Sequence, residues 1–199
     1  MRQIVLSFII VILSCTFYAT PSSAAGPWKG QIIDIETKEP LEGAVVLAVW
    51  ERYYRTPTGG SSYFYEAKEV LTDKEGKFEI PSYITINLLP LISYIEGPYF
   101  TIFKPGYGSL SRSGLEKYFL GEGVEPKEGE ISGKRYRFAP GLIELPPLKT
   151  REERLRGGLH DIPAEIGGEV PERKIKKLIK AINEDRLYLG LQLFKVEDE

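Results

Sequence analysis

Few side chains in this 199-residue chain are equipped for covalent or metal chemistry. It holds one histidine, His160, and one cysteine, Cys15. A Ser-His-Asp arrangement would have to use His160, and no Gly-x-Ser-x-Gly elbow occurs. His160-Asp161 reads as a surface loop between two helices rather than as a catalytic or metal pair. Acidic residues are plentiful, but no two are marked by their surroundings as an acid–base couple. Gly106-x-Gly108 and Gly121-x-Gly123 lack the third glycine of a dinucleotide fingerprint. Asp73 and Glu75 have the oxygen chemistry of calcium ligands, yet turn chemistry already accounts for them. The expectation is a chain with no catalytic residue, no metal site and no cofactor.

Aromatic residues are the other chemically distinctive set. Tyr53 and Tyr54 precede the loop Thr56-Pro57-Thr58-Gly59-Gly60-Ser61-Ser62, and Tyr63, Phe64 and Tyr65 follow it. If the flanking strands pair, the two clusters face each other. They then either present a stacking face to a sugar or partner protein, or stabilise a long edge hairpin by packing on one another. A second bipolar feature lies near the carboxyl terminus. Ile175, Leu178, Ile179 and Ile182 form one stripe at the helical period, and lysines and arginines fill most of the remaining surface. A basic amphipathic helix over 172–188 packs its stripe on the parent domain or lies on anionic lipid.

These features require elements to hold them. Trp28 to Ile35 alternates as a first strand, and Glu36 to Pro40 reads as a turn. Val45 to Trp50 is apolar on both faces, which suits a strand inside a sandwich or under a covering element. Leu71 to Ile80 reads as the central hairpin, turned by Asp73 and Gly76, with Val70, Phe78 and Ile80 on one face. Pro90 argues against a continuous strand over 82–98. Tyr99 to Phe103 is a short strand. From 104 to 141 the chain is rich in Gly, Ser, Lys and Glu; Leu115 to Leu120 is a helical turn or a strand, and Tyr136-Arg137-Phe138 and Leu142 to Leu145 are short closing strands. Thr150 with Glu153 has capping-box spacing for a short helix ending at Gly157-Gly158. Pro171 opens the second helix, which runs to about Tyr188.

The first 25 residues have the form of an export signal. Arg2 supplies a minimal basic start, Ile4 to Leu13 an apolar run, and Ser22-Ser23-Ala24-Ala25 small residues for cleavage before Gly26. The run is too short to span a bilayer as a helix. Ile12-Leu13-Ser14-Cys15 departs from a lipoprotein box through Leu13, so removal of the leader is the expectation and lipid attachment at Cys15 the alternative. Either way the exported body has no disulfide. The formal net charge of −2 creates no global attraction to nucleic acid, and export removes the protein from it.

Gly30-Gln31-Ile32-Ile33-Asp34 with Thr37, Pro40-Leu41 and Gly43-Ala44-Val45, then Thr72-Asp73 with Gly76-Lys77-Phe78, and finally Phe103-Lys104-Pro105-Gly106-Tyr107, together resemble the carboxypeptidase regulatory-like domain. The match covers roughly residues 28–107 and departs from the family pattern in the enlarged aromatic hairpin around Gly59-Gly60. The resemblance implies a transthyretin-like (prealbumin-like) β-sandwich and extends to the accessory domain only. The zinc site of the carboxypeptidases needs two histidines and a glutamate, and one histidine cannot build it.

The whole reading is a mainly β protein: a signal peptide over 1–25, an antiparallel transthyretin-like β-sandwich over 26–146, and a helical extension over 147–199 packed on it. Its expected role is a non-enzymatic binding or structural module of the periplasm or cell envelope. The expected partner is an envelope protein or glycan met through Tyr53, Tyr54, Tyr63, Phe64 and Tyr65. A carbohydrate-binding accessory domain is the alternative. Membrane contact would come through a lipidated Cys15 or the basic helix.

Overall fold

A strand that is apolar on both faces must be covered on both, and that requirement organises the molecule. The computed structural model describes residues 26–57, 59–85, 87, 91–112, 114–120, 123–162 and 170–195; the expected leader with Cys15, and Gly121, lie outside them. The strands are β1 (Trp28–Asp34), β2 (Val45–Thr56), β3 (Gly59–Leu71), β4 (Lys77–Ile80), β5 (Ser93–Phe103), β6 (Leu110–Arg112), β7 (Lys127–Ile131), β8 (Lys134–Ala139) and β9 (Leu142–Leu145). Helix α1 is Glu116–Leu120, α2 is Arg151–Gly157, and α3 is Lys176–Leu189, preceded by a 3₁₀ turn over Glu172–Lys174.

Two sheets stack as a sandwich, in the orders β4-β1-β9-β8-β7 and β3-β2-β5-β6. Every strand pairing is antiparallel except β1 with β9, which is parallel. Val46, Ala48 and Trp50 of β2 enter the core between the sheets, where they join Trp28, Ile32, Phe78, Ile80, Phe100, Ile102, Phe138 and Ile143. Trp28 meets Trp50 edge-on with ring centroids 5.6 Å apart. Val45, Leu47 and Val49 point the other way and pack with Ala67 and Phe103 under Ile175, Leu178, Ile179 and Ile182 of the carboxyl-terminal helical segment.

The apolar stripe of α3 is therefore covered by the four-stranded sheet and is not free to face a lipid surface. Glu69 of β3 completes the docking. Its carboxylate accepts from the amides of Lys177 at 2.7 Å and Leu178 at 3.0 Å, at the start of a helix that has no side-chain cap of its own. Burial pushes the Glu69 carboxyl upward, against the pull of those two amides and Lys177. The capping box of α2 forms, with Thr150 Oγ1 accepting from Glu153 N and Glu153 Oε2 accepting from Thr150 N, both at 3.1 Å. α3 ends at Gly190 in the left-handed region.

Several expectations need correction. Leu71 to Ile80 is not a central hairpin: β3 and β4 are edge strands of different sheets, and the turn between them carries the chain from one sheet to the other. The pattern misleads because Val70, Phe78 and Ile80 still face one shared core. Asp73 makes the corner, its Oδ1 accepting from the amides of Glu75 at 3.0 Å and Lys77 at 2.8 Å. The loop expected over 56–62 shrinks to the turn after Thr56, since β3 starts at Gly59. β5 begins at Ser93, not Tyr99, because Gly97-Pro98 is absorbed as an irregularity instead of ending the strand. β6 and β7 were not legible in the region rich in Gly, Ser, Lys and Glu, where Leu115 to Leu120 holds the helix α1.

Residues far apart in the motif meet in space. Thr72 Oγ1 donates to the carbonyl of Leu41 and accepts from Ala44 N at 2.8 Å. The Tyr107 hydroxyl donates to Asp34 Oδ2 at 3.0 Å, while Asp34 Oδ1 accepts from the amides of Glu36 and Thr37.

Candidate functional site

Beyond Trp50 the four-stranded sheet changes character. Gly97 and Pro98 of β5 lie opposite Trp50 alone, and the β3 register skips Tyr65 at the same level. Proline lacks the amide that a regular ladder would use there, and extra residues of this kind bend and twist the sheet. Past the irregularity Arg52 pairs with Tyr63 and Ile95, Tyr53 with Ser62 and Tyr94, and Tyr54 with Ser61 and Ser93. The result is a three-stranded tongue.

Period-two alternation divides the tongue's aromatic residues between two faces. Tyr54, Tyr63 and Tyr65 share the core-side face with Arg52. There Tyr54 and Tyr63 meet edge-on at 5.7 Å, and the Arg52 guanidinium carbon stands 4.9 Å from the centre of the Tyr65 ring. Tyr65 also meets Tyr83, over which Lys68 Nζ lies at 4.5 Å. On the other face Phe64 packs against the helix-side cluster. Tyr53 stacks on Tyr94 at 5.0 Å and lies across Gly60, where a Cβ would fall 1.9 Å from the tyrosine oxygen. Only glycine admits that approach. The five residues expected to form one contact face thus separate into Tyr54, Tyr63 and Tyr65 on one side and Tyr53 and Phe64 on the other.

Arg52, Tyr54, Thr56, Ser61, Tyr63 and Tyr65 line an open groove of about 520 Å³, with Phe64 alongside. Tyr63 is 48% exposed. Arg52 Nε is buried with no hydrogen-bond partner. Sequence reasoning missed Arg52. The signal was present, because Arg52 stands two residues before Tyr54 on a strand and must share its face.

The other candidate groups are engaged elsewhere. His160 Nε2 donates to the Arg154 carbonyl at 2.7 Å, and its ring is half-buried beside Asp185. Among the described residues, no three His, Cys, Asp or Glu side chains are gathered as metal ligands, and no helix is long and apolar enough to cross a membrane. No family model, curated protein or solved structure matches the chain.

Proposed function

We propose that the protein is a non-enzymatic binding module of the cell envelope, and that its contact region is the core-side face of the tyrosine tongue. The observation that carries this reading is the groove itself: three tyrosines and an arginine, on strands that run past the part of the sheet covered by helix α3. The form of residues 1–25 supports export, and the spacing of the glycine, Thr-Asp and Lys-Pro-Gly-Tyr motifs supports a domain of the carboxypeptidase regulatory-like type. His160 holds helices together here, which favours a structural role for it.

A second reading is that the ligand is a carbohydrate carrying an acidic group. Flat tyrosine rings suit the apolar faces of sugars, and Arg52 suits a carboxylate. Affinity electrophoresis against a panel of neutral and acidic polysaccharides, run beside pull-down of envelope proteins, separates the two readings. In either case Tyr54→Ala with Tyr63→Ala should weaken retention by about tenfold or more, since each ring is worth about 1–2 kcal/mol in a contact of this kind. Unchanged retention of both partner classes would remove the groove from the account.

A further inference from the structure

Among the described residues, every sheet margin but one is guarded. β4 has four residues and carries Lys77 and Glu79, β6 has three residues, and β7 carries Lys127, Glu128 and Glu130. Short edge strands and charged side chains are the usual guards against strand addition. β5 pairs with β6 only from Phe100 to Ile102, and the rest of that margin holds Glu96 and Pro98. The second half of β3 is guarded too. Lys174 Nζ meets the Glu66 carboxylate at 2.7 Å, and Lys177 Nζ donates to the Glu69 carbonyl at 3.0 Å.

The first half of β3 is the exception. β3 is an edge of its sheet, and Gly59 to Tyr63 are exposed. From Thr56 to Tyr65 no residue is charged, and β3 contains no proline. An edge strand directs one row of amides and carbonyls away from its sheet, and a second strand satisfies them.

The sequence of this stretch says which strand fits. In an antiparallel pair, directly opposed residues share a face. When the two strands are copies related by a two-fold axis, opposed residues therefore have numbers of the same parity, and the axis passes through a residue. An axis at Ser62 sets Ser61 opposite Tyr63 on the groove face, and Gly60 opposite Phe64 on the other. Each ring then meets a residue with little or no side chain. An axis at Tyr63 would set that ring against itself and bring Gly60 opposite Glu66, which Lys174 already holds. An axis at Ser61 would leave Phe64 beyond the start of the other β3. At Ser62 the overlap brings no like charges together. An antiparallel pair also places the covered half of each β3 past the tip of the other tongue, so the folded bodies stay apart.

We propose that two copies of this chain join along the first half of β3, about a two-fold axis at Ser62. The two tongues form one continuous sheet, and Tyr63 of each copy comes beside the groove of the other. This pairing does not depend on what the groove binds, and a covalent product of two copies is told from a ligand adduct by its mass.

The experiment is sedimentation equilibrium of the protein purified from cells producing the full chain, its amino terminus defined by intact mass. The wild-type protein should show a concentration-dependent monomer–dimer equilibrium. Ser62→Lys and Ser62→Glu should each raise the dimer dissociation constant by about fivefold, since like charges then stand directly opposed. Mixing the two variants should restore association, because the opposed charges now differ in sign. Near-ultraviolet circular dichroism should be unchanged in both, as Ser62 is exposed. In a Cys15→Ser background, Ser62→Cys should give an oxidised dimer, because opposed Cα atoms about 4.5–5.5 Å apart are within disulfide reach. Glu128→Cys in the same background should not. The proposal is overturned if the wild-type protein is monomeric throughout its soluble range, or if its dimer is indifferent to Ser62→Lys. It is equally overturned if the mixed variants associate no better than either alone, or if the edge takes up an unrelated peptide strand with no self-association.

Discussion

The Arg154 guanidinium of α2 meets the Asp185 carboxylate of α3 at 2.9 Å, and Asp185 is 1% exposed. The Gly106 amide donates to the same oxygen at 3.2 Å, and the face of Arg154 lies 3.8 Å from the centre of the Tyr188 ring. One carboxylate thus ties together the two helices and the turn after β5. Removing the cation should leave that buried carboxylate without its charge partner. Arg154→Met should cost about 2–3 kcal/mol in urea unfolding, below the 3–5 of a fully buried pair because Arg154 keeps 21% side-chain exposure. Replacing both residues by leucine should recover only part of the loss, because the buried Gly106 amide is then left without its acceptor.

Glu69 does for α3 what a cap residue would normally do. Glu69→Ala should cost about 1–2 kcal/mol, the range of a lost helix cap. Hydrogen exchange should quicken first at the amides of Lys177 and Leu178, which the Glu69 carboxylate now accepts from. Protection in β1 and β9 should change little by comparison.

Gly76 occupies the corner between the sheets at a φ of +69°, and a Cβ there would lie 2.4 Å from the Ile32 carbonyl oxygen. The Gly76 carbonyl in turn accepts from Ile32 N at 2.8 Å. Gly76→Ala should therefore destabilise by about 3 kcal/mol or more through left-handed strain and displaced backbone. Equilibrium denaturation reads this directly, and Gly141→Ala, with a similar φ but open space around it, should cost less.

Burial, followed by its hydrogen bond to Asp34, pushes the Tyr107 hydroxyl from the ordinary 10.0 up to about 12. Burial and Glu96 do the same for Tyr99, also to about 12. A raised folded value means that the folded state holds these protons more tightly than the unfolded one. The associated stability is intact below the unfolded value near 10.0 and is lost as pH rises through about 12. Urea midpoints should fall across that window. Tyr107→Phe should flatten the fall, and adding Tyr99→Phe should flatten it further.

Much of the fold was legible because its signals are local. β1, the doubly apolar part of β2, the capping box at Thr150 and the stripe from Ile175 to Ile182 each follow from spacing within a single element. The corner at Asp73 to Lys77 was misread because alternation reports which face a residue buries, not which sheet its strand joins. The tongue was found but its faces were merged. Alternation separates neighbours within each strand, but matching the Tyr53–Tyr54 side to the Tyr63–Tyr65 side needs the β2–β3 pairing register, which shifts beside Trp50. Helix α1 and strands β6 and β7 lie among glycines and charges, where periodicity carries little information.

The central claim is that the tongue's core-side face meets a ligand in the envelope. A photo-crosslinking amino acid placed at Tyr63, and as a control at Glu128 on β7 of the other sheet, tests it in cells producing the full chain. The account predicts a discrete adduct from position 63 that disappears with Tyr54→Ala and Arg52→Gln, and none from position 128. Adducts of equal yield from both positions, or from position 128 alone, would contradict it.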